Sequence, residues 1–326
     1  MNEQQWVQHY ISPRQHPENA VYGPGDDAAL IKPPENSSLV VSVDALVSGQ
    51  HFTFDALQSW CPPEILARRL VRGSVSDLSA MGAKASGLIL SVETPELPGF
   101  LGADFWRRLD AEIERLQICL MGGNVARNPN SLSLHATVLG YVEEARCWRR
   151  DRAQLGDRIG VTGSPGSAAK ALEHLNQGLT DESPDPWRSP ACRQNFVAEL
   201  APALSRPPTA IDISDGLALD LHRVCLASQL SAQVELESLV SSAASPNLKQ
   251  VLGGGEDYEL LLGIDPAESD KVEAIAQESG TEWHWIGEFI PANEKGPVLE
   301  ATSKGTPVDI PSTDAATPGW DPFNNA

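Results

Sequence analysis

Short β-branched runs that stop at an acidic or glycine cluster, alternating with segments of helical period, constrain this chain more than any other feature. SLVVSV (38–43) reads as a buried strand and runs into Asp44. From Pro62 to Met81, the residues Ile65, Leu66, Leu70, Val71, Val75, Leu78 and Met81 recur at helical spacing, with Asp77 near the C-terminal end. GLILSV (87–92) predicts a strand and 103–118 an amphipathic helix. CLMGGN predicts a short strand entering a glycine turn, and 131–142 alternates as a half-buried strand does. The charged stretch EEARCWRRDRAQLGD reads as a connector, after which a second series begins. It comprises strand DRIGVTG, turn SPGS, helix AAKALEHL, a Pro/Asp/Ser-rich surface loop at 176–190, strand TAIDI and helix GLALDLHRVCLAS. Strand QVELE, turn GGGEDYE, strand LLLGI, helix DKVEAIAQES and strand EWHWIGEF complete it. The tail from Pro291, rich in Pro, Gly, Thr and Asn, predicts loose order until Trp320. This order predicts a mixed α/β (α+β) chain of two domains, 1–147 and 148–326, without short-period repeats.

Charge narrows the partners. Against 44 acidic residues stand 24 basic ones, a net −20, and a field of that sign repels nucleic-acid phosphates and anionic lipid head groups. No apolar run approaches the ~18 residues of a membrane span, and the first residues lack a basic head and an apolar stretch. The expectation is a soluble, cytoplasmic protein without nucleic-acid or membrane partners. The five cysteines are scattered and form no CxxC pair, which argues against a disulfide framework or a thiolate zinc site.

Five clusters can carry chemistry: GPGDDAAL (23–30), SVDALVSGQHF (42–52), SVSDLSAMGA (74–83), IDISDGL (211–217) and GGGEDYELL (253–261). Singly each has a structural explanation; Ser214 or Asp215, for instance, can cap the helix beginning near Gly216. Together they place Asp26, Asp27, Asp44, Asp77, Asp212 and Asp215 beside small, backbone-exposing residues. A hard cation such as Mg²⁺ takes oxygen ligands, and glycine turns and helix N-termini offer N–H groups to phosphate. The pattern therefore points to a phosphate–metal site, yet GxxxxGK[ST], paired HRD and DFG motifs and a strand-following GxGxxG are all absent.

In this order the clusters resemble the thiamine-monophosphate kinases, members of the superfamily of aminoimidazole ribonucleotide synthetase. The resemblance runs from GPGDDAAL through VDALVSGQHF, SDLSAMGA, the GGN turn, RAQLGDRIGVTGSPG, IDISDGL and GGEDYEL to GWDPF. It implies transfer of the γ-phosphoryl of ATP onto the phosphate of thiamine monophosphate, with Mg²⁺ and no general base. It also implies a homodimer in which two N-terminal sheets close a β-barrel. By the same resemblance Asp27, Asp44, Asp77 and Asp212 are metal ligands, with Ser42, Asn124 and Asp215 further candidates. Gly123, Asn124, Arg150 and Ser214 face ATP, while His51, Glu256 and Trp320 hold the thiamine end of the substrate. Trp320 has a ring face suited to a cationic heteroaromatic.

This chain departs from the family pattern at several positions. Asn124 stands for Asp, Ser74 opens the segment that ends in Asp77 where Asn is usual, Arg69 replaces Lys, and Pro322 replaces His. The rival expectations are other enzymes of the superfamily and a non-catalytic nucleotide- or thiamine-phosphate-binding homologue. Selenophosphate synthetase would need a reactive Cys or selenocysteine early, and no Cys precedes Cys61. The hydrogenase-maturation relative ends in Cys, whereas this sequence ends FNNA.

Overall fold

The computed structural model describes residues 2–10, 20–22, 27–179, 185–242, 247–294 and 296–308. They fall into two compact units, Met1–Leu78 with Ala83–Glu144, and Ser79–Gly82 with Ala145–Ala326.

The first unit contains α1 (Glu3–Tyr10), β1 (Ala20–Tyr22), β2 (Leu30–Ile31), β3 (Ser37–Val47), α2 (Phe54–Leu57) and α3 (Pro63–Ala80). It continues with β4 (Lys84–Thr94), α4 (Ala103–Leu116), β5 (Cys119–Arg127) and β6 (Ser133–Glu143). Among the described residues its main sheet has the order β3-β6-β4-β5, with β4 and β5 parallel and the other pairs antiparallel. Lateral register puts Asp44, Ala136, Leu90 and Gly123 in one row. Leu46, Leu88, Leu90, Leu134 and Val138, on the same side as Asp44, are buried, as are α3 residues Leu66, Leu70 and Leu78 and α4 residues Phe105 and Leu109. The opposite face carries a small cluster of Cys119, Met121 and Leu139, joined by Ala29, Ile31 and Ile89. Beyond that cluster Leu39, Val41 and Val43 lie exposed on edge strand β3. The four strands form an open sheet, so one chain builds no barrel among the described residues.

The glycine turn expected within CLMGGN does not form: residues 119–127 are a continuous strand. A bulge accounts for it, since Leu88 pairs with Leu120 and the next residue, Ile89, with Gly122, leaving Met121 unpaired. Gly123 is needed because a Cβ there would stand 2.1 Å from the Leu90 carbonyl oxygen.

The second unit contains β7 (Arg158–Thr162), α5 (Ser167–Asn176), α6 (Gln194–Ala203), β8 (Thr209–Ile213), α7 (Leu217–Ser228) and β9 (Leu230–Glu235). There follow α8 (Leu236–Ser242), α9 (Leu248–Gly253), β10 (Glu259–Ile264), α10 (Ser269–Glu278), β11 (Trp283–Pro291), β12 (Leu299–Ser303) and β13 (Thr306–Val308). The strands form one mixed sheet of order β13-β12-β9-β11-β7-β10-β8. Side chains of β10 feed both of its faces: Leu261 joins a core with α7 residues Leu217, Leu221 and Val224, and Leu260 and Leu262 join one with Phe196 and Val272. Burial on two faces explains the unbroken LLLGI run. The tail proves more regular than its composition suggests, because β12 pairs in parallel with β9 and turns back as β13. Helix α6 was not read in the sequence either, its pattern being broken by Pro202 in the last turn.

Candidate active site

In the first unit three polar side chains converge on the helix-covered side of the sheet. Alternation along β3 points Ser42 and Asp44 toward α3, while Val41 and Val43 face away. The Ser42 hydroxyl donates to Asp77 Oδ2 at 2.5 Å, joining β3 to the last turn of α3. The Asp44 carboxyl is pushed up by burial and by the Asp77 charge, against a bond from the Ala45 N–H and the positive field of Arg69. Beyond the strand, His51 Nδ1 accepts from the Val47 N–H at 3.1 Å, a bond that leaves the proton on Nε2. Asp44 and Asp77 thus repel each other in a partly desolvated place that a cation would relieve.

Asn124 is elsewhere. It pairs laterally with Ser91, in register with His135 and Ala45, which puts it on the face opposite Asp44. Three strand spacings separate them, about 14 Å. Gly123 shares the row of Asp44, and its missing side chain serves the close approach of β5 to β4. Asp27 is exposed, two residues before Ala29 of the opposite-face cluster. Asp26 and Trp320 lie outside the described residues.

In the second unit two loops pack backbone to backbone at one end of β8 and β10. The Glu256 N–H donates to the Ser214 carbonyl at 2.8 Å and the Tyr258 N–H to the Ile213 carbonyl at 2.9 Å. A Cβ at residue 255 would stand 2.5 Å from the Ser214 oxygen, which accounts for Gly255. Glu256 and Tyr258 take left-handed backbone conformations, φ 65° and 52°. Ser214, Asp215 and Glu256 are thereby neighbours, and Asp212 is buried in β8 just before them. Arg150 belongs to the other end of β8: its carbonyl accepts from Thr209 and Ser228 hydroxyls at 2.9 and 2.7 Å, and its side chain is exposed.

Neither Ser214 nor Asp215 caps α7. Gly216 is the N-cap, without a side-chain bond. Instead Asp220 Oδ2 accepts the N–H groups of Ser214, Asp215 and Gly216 at 3.1, 3.0 and 3.2 Å. Burial raises the Asp220 carboxyl to about 6, with Asp215 adding to the rise and Arg223 opposing it. A second buried carboxyl does the same at α5, where Asp257 accepts from the N–H of Gly166 at 2.7 Å and of Ala168 at 2.9 Å. The turns before α5 and α7 are therefore filled by the protein's own carboxylates. The individual roles of Asp220, Arg223, Asp257, Trp187 and the Arg193–Glu259 pair do not follow from the sequence, although Asp257 and Glu259 lie in the GGGEDYELL cluster and Trp187 and Arg193 bound the loop WRSPACR. Asp220 carries a signal of another kind, a carboxylate inside the apolar run LALDLHRVC.

Among the described residues no three His, Cys, Asp or Glu side chains converge as a metal site. The oxygen-only set Ser42, Asp44 and Asp77 nevertheless fits a cation that takes one or two carboxylates and completes its shell with water and phosphate.

Two family models match: AIR synthase related protein, N-terminal domain, over residues 25–142, and its C-terminal domain over 154–300. Together with the fold they define the class, an AIR synthase related two-domain protein. A thiamine-monophosphate kinase of Synechococcus elongatus is 33% identical over 281 residues, 81% of this chain and 83% of the relative. The crystal structure of thiamine-monophosphate kinase from Stenotrophomonas maltophilia superposes with a TM-score of 0.75 at 29% identity, covering 89% of this chain and 93% of that one. A structure described as AaThiL complexed with AMPPCP and TMP shares the fold, with a TM-score of 0.67 at 22% identity over 88% of this chain and 90% of that one. The chain belongs to the thiamine-monophosphate kinase family.

Proposed function

We infer that this protein transfers the γ-phosphoryl group of ATP to the phosphate of thiamine monophosphate, giving thiamine diphosphate and ADP. The observation that carries the reading is the electrostatic apposition of Asp44 and Asp77, the latter held to β3 by the Ser42 hydroxyl, in a chain whose relatives are thiamine-monophosphate kinases. The acceptor oxygen belongs to a phosphate monoester with a second pKa of about 6, so it is already ionised near neutral pH and needs no general base. The difficulty is electrostatic, two polyanions brought into line. Mg²⁺, when bound, supplies charge neutralisation and alignment of the attacking and leaving oxygens. Asp44 and Asp77 would hold it, with Ser42 fixing the Asp77 carboxylate through its hydroxyl. In the second unit Ser214 contacts the nucleotide, Asp212 and Asp215 serve the nucleotide side as metal ligands, and Glu256 offers a carboxylate to the thiamine moiety. We assign further nucleotide or metal contacts to Asp27, Gly123, Asn124 and Arg150, and thiamine contacts to His51 and Trp320. Leu39, Val41 and Val43, the last 65% exposed, support a homodimer in which the open sheets pair and close a barrel. The described residues include no helix long and apolar enough to cross a membrane.

The deciding experiment measures ADP release from ATP and Mg²⁺ with and without thiamine monophosphate, with thiamine diphosphate followed by chromatography. Equal amounts of ADP and thiamine diphosphate are expected, and Asp44→Ala should remove most of both while the chain stays folded. ATP bound without turnover would instead identify a non-catalytic homologue.

A further inference from the structure

We propose that Asp220 and Arg223 are positioning residues that shape the Ser214–Gly216 turn for nucleotide, Asp220 by collecting its backbone N–H groups and Arg223 by holding the Asp215 side chain. The proposal rests on the nucleotide role assigned above to Ser214 and Asp215.

Three consecutive N–H groups leading into a helix normally form a concavity for an external anion. Here all three point at one oxygen, Asp220 Oδ2, at 3.0–3.2 Å. The other oxygen, Oδ1, accepts from Arg223 Nη1 at 2.6 Å, and the same Nη1 donates to Asp215 Oδ2 at 2.5 Å. Asp220 is wholly buried, and these four donors satisfy both of its carboxyl oxygens. Gly216, at φ 122°, occupies a conformation that side-chain-bearing residues rarely adopt, and the turn is closed around the carboxylate.

Two consequences follow. The amides of Ser214, Asp215 and Gly216 are taken, so this turn meets a nucleotide through the Ser214 hydroxyl and the Asp215 carboxylate and not through a backbone cradle. The turn is also built before any ligand arrives, so binding does not have to order it. Arg223 further ties the Asp215 carboxylate to one rotamer and offsets part of its charge, a direct influence on how strongly Asp215 draws a cation.

The test uses the full chain with Asp220→Asn, Arg223→Gln and Arg223→Lys. Affinity for a non-hydrolysable ATP analogue with Mg²⁺ is measured by calorimetry, amide exchange at residues 214–216 by mass spectrometry or NMR, and both KM values kinetically. Asp220→Asn keeps the shape but turns an NH₂ toward Arg223 or toward the three amides. It should weaken analogue binding about ten-fold or more, the scale of a lost charged hydrogen bond, and speed exchange at 214–216. The KM for thiamine monophosphate should stay within about two-fold, since the change is local to the nucleotide side. Arg223→Gln should weaken the analogue while leaving the three amides protected, and Arg223→Lys should recover part of the loss. Folded variants that bind the analogue like wild type and keep the turn protected overturn the proposal. So does equal damage to both KM values with a general loss of protection, the mark of a merely structural role. Should Asp220→Asn fail to fold, the half-exposed Arg223 still decides. Wild-type protein that binds no analogue would sink the nucleotide reading itself, while faster exchange at 214–216 in Asp220→Asn would still support the turn-shaping role.

Discussion

Trp187 donates its indole N–H to Glu256 Oε2 at 2.8 Å, from a ring only 1% exposed. A large rigid side chain thereby sets the direction of a carboxylate whose own backbone sits in the left-handed region. Nothing in the local sequence around Glu256 announces this partner, which is 69 residues away.

Trp187→Phe keeps the apolar bulk and removes the donor. One hydrogen bond to a charged acceptor is worth about 1.5–3 kcal/mol, so the KM for thiamine monophosphate should rise roughly ten-fold with kcat little changed. Steady-state kinetics with each substrate varied in turn checks it; a rise in the KM for ATP alone would contradict the role of Glu256.

Gly122 and Gly123 are neighbours in β5 with opposite tolerances. A Cβ at 123 would meet the Leu90 carbonyl at 2.1 Å, whereas at 122 nothing lies within 4 Å. Gly123→Ala should cost about 1–3 kcal/mol or more, and Gly122→Ala should be neutral or slightly stabilising. Urea melts of the two variants make the comparison, and equal midpoints would refute the bulged register.

Arg193 grips Glu259 with two N–H···O bonds of 2.6 Å, and the Thr162 hydroxyl adds a third at 2.6 Å. Removing the cation leaves a buried carboxylate without its counter-charge, which costs about 3–5 kcal/mol. Arg193→Ala should therefore melt well below wild type, and adding Glu259→Gln should recover part of the loss, a non-additivity readable by a double-mutant cycle.

Asp257 couples stability to pH. Burial raises its carboxyl from 3.8 to about 7, against N–H bonds from Ala168 and Gly166 that favour the charged form. The folded value exceeds the unfolded one, so the native state holds more protons between these two values. This group's contribution is full below the unfolded pKa and is lost as pH rises through about 7. Asp257→Asn retains an oxygen for the amides and abolishes the titration. Its melting temperature should fall less than that of wild type between about pH 4 and 7; parallel curves would show that Asp257 does not titrate there.

Much of the architecture is legible without coordinates. Strands β3, β4 and β6 and helices α3, α4, α7 and α10 follow from periodicity, because each buries a stripe or a face that local spacing encodes, and β8 and β10 follow from short apolar runs buried on both faces. The unread elements lack such a code. Strands β12 and β13 sit in a polar tail and owe their order to pairing with β9. The strand through Gly122 and Gly123 reads as a turn until the partner strand and its bulge are known.

The acidic clusters, their oxygen-rich chemistry and the family they mark were decided by the amino-acid sequence, since residue type and order are enough to specify them. Which carboxylates display themselves and which work inside was decided by tertiary structure alone. Asp44 and Asp77 come together because pleat and register turn Asp44 toward α3, while the same register sends Asn124 to the other face. Asp257 vanishes into the fold because its amide partners, Gly166 and Ala168, lie on a distant loop that only packing brings to it, whereas Asp220 turns back onto the amides of the residues just before its own helix. A side chain's direction depends on strand pairing, and its charge state on burial; both are properties of residues far away along the chain.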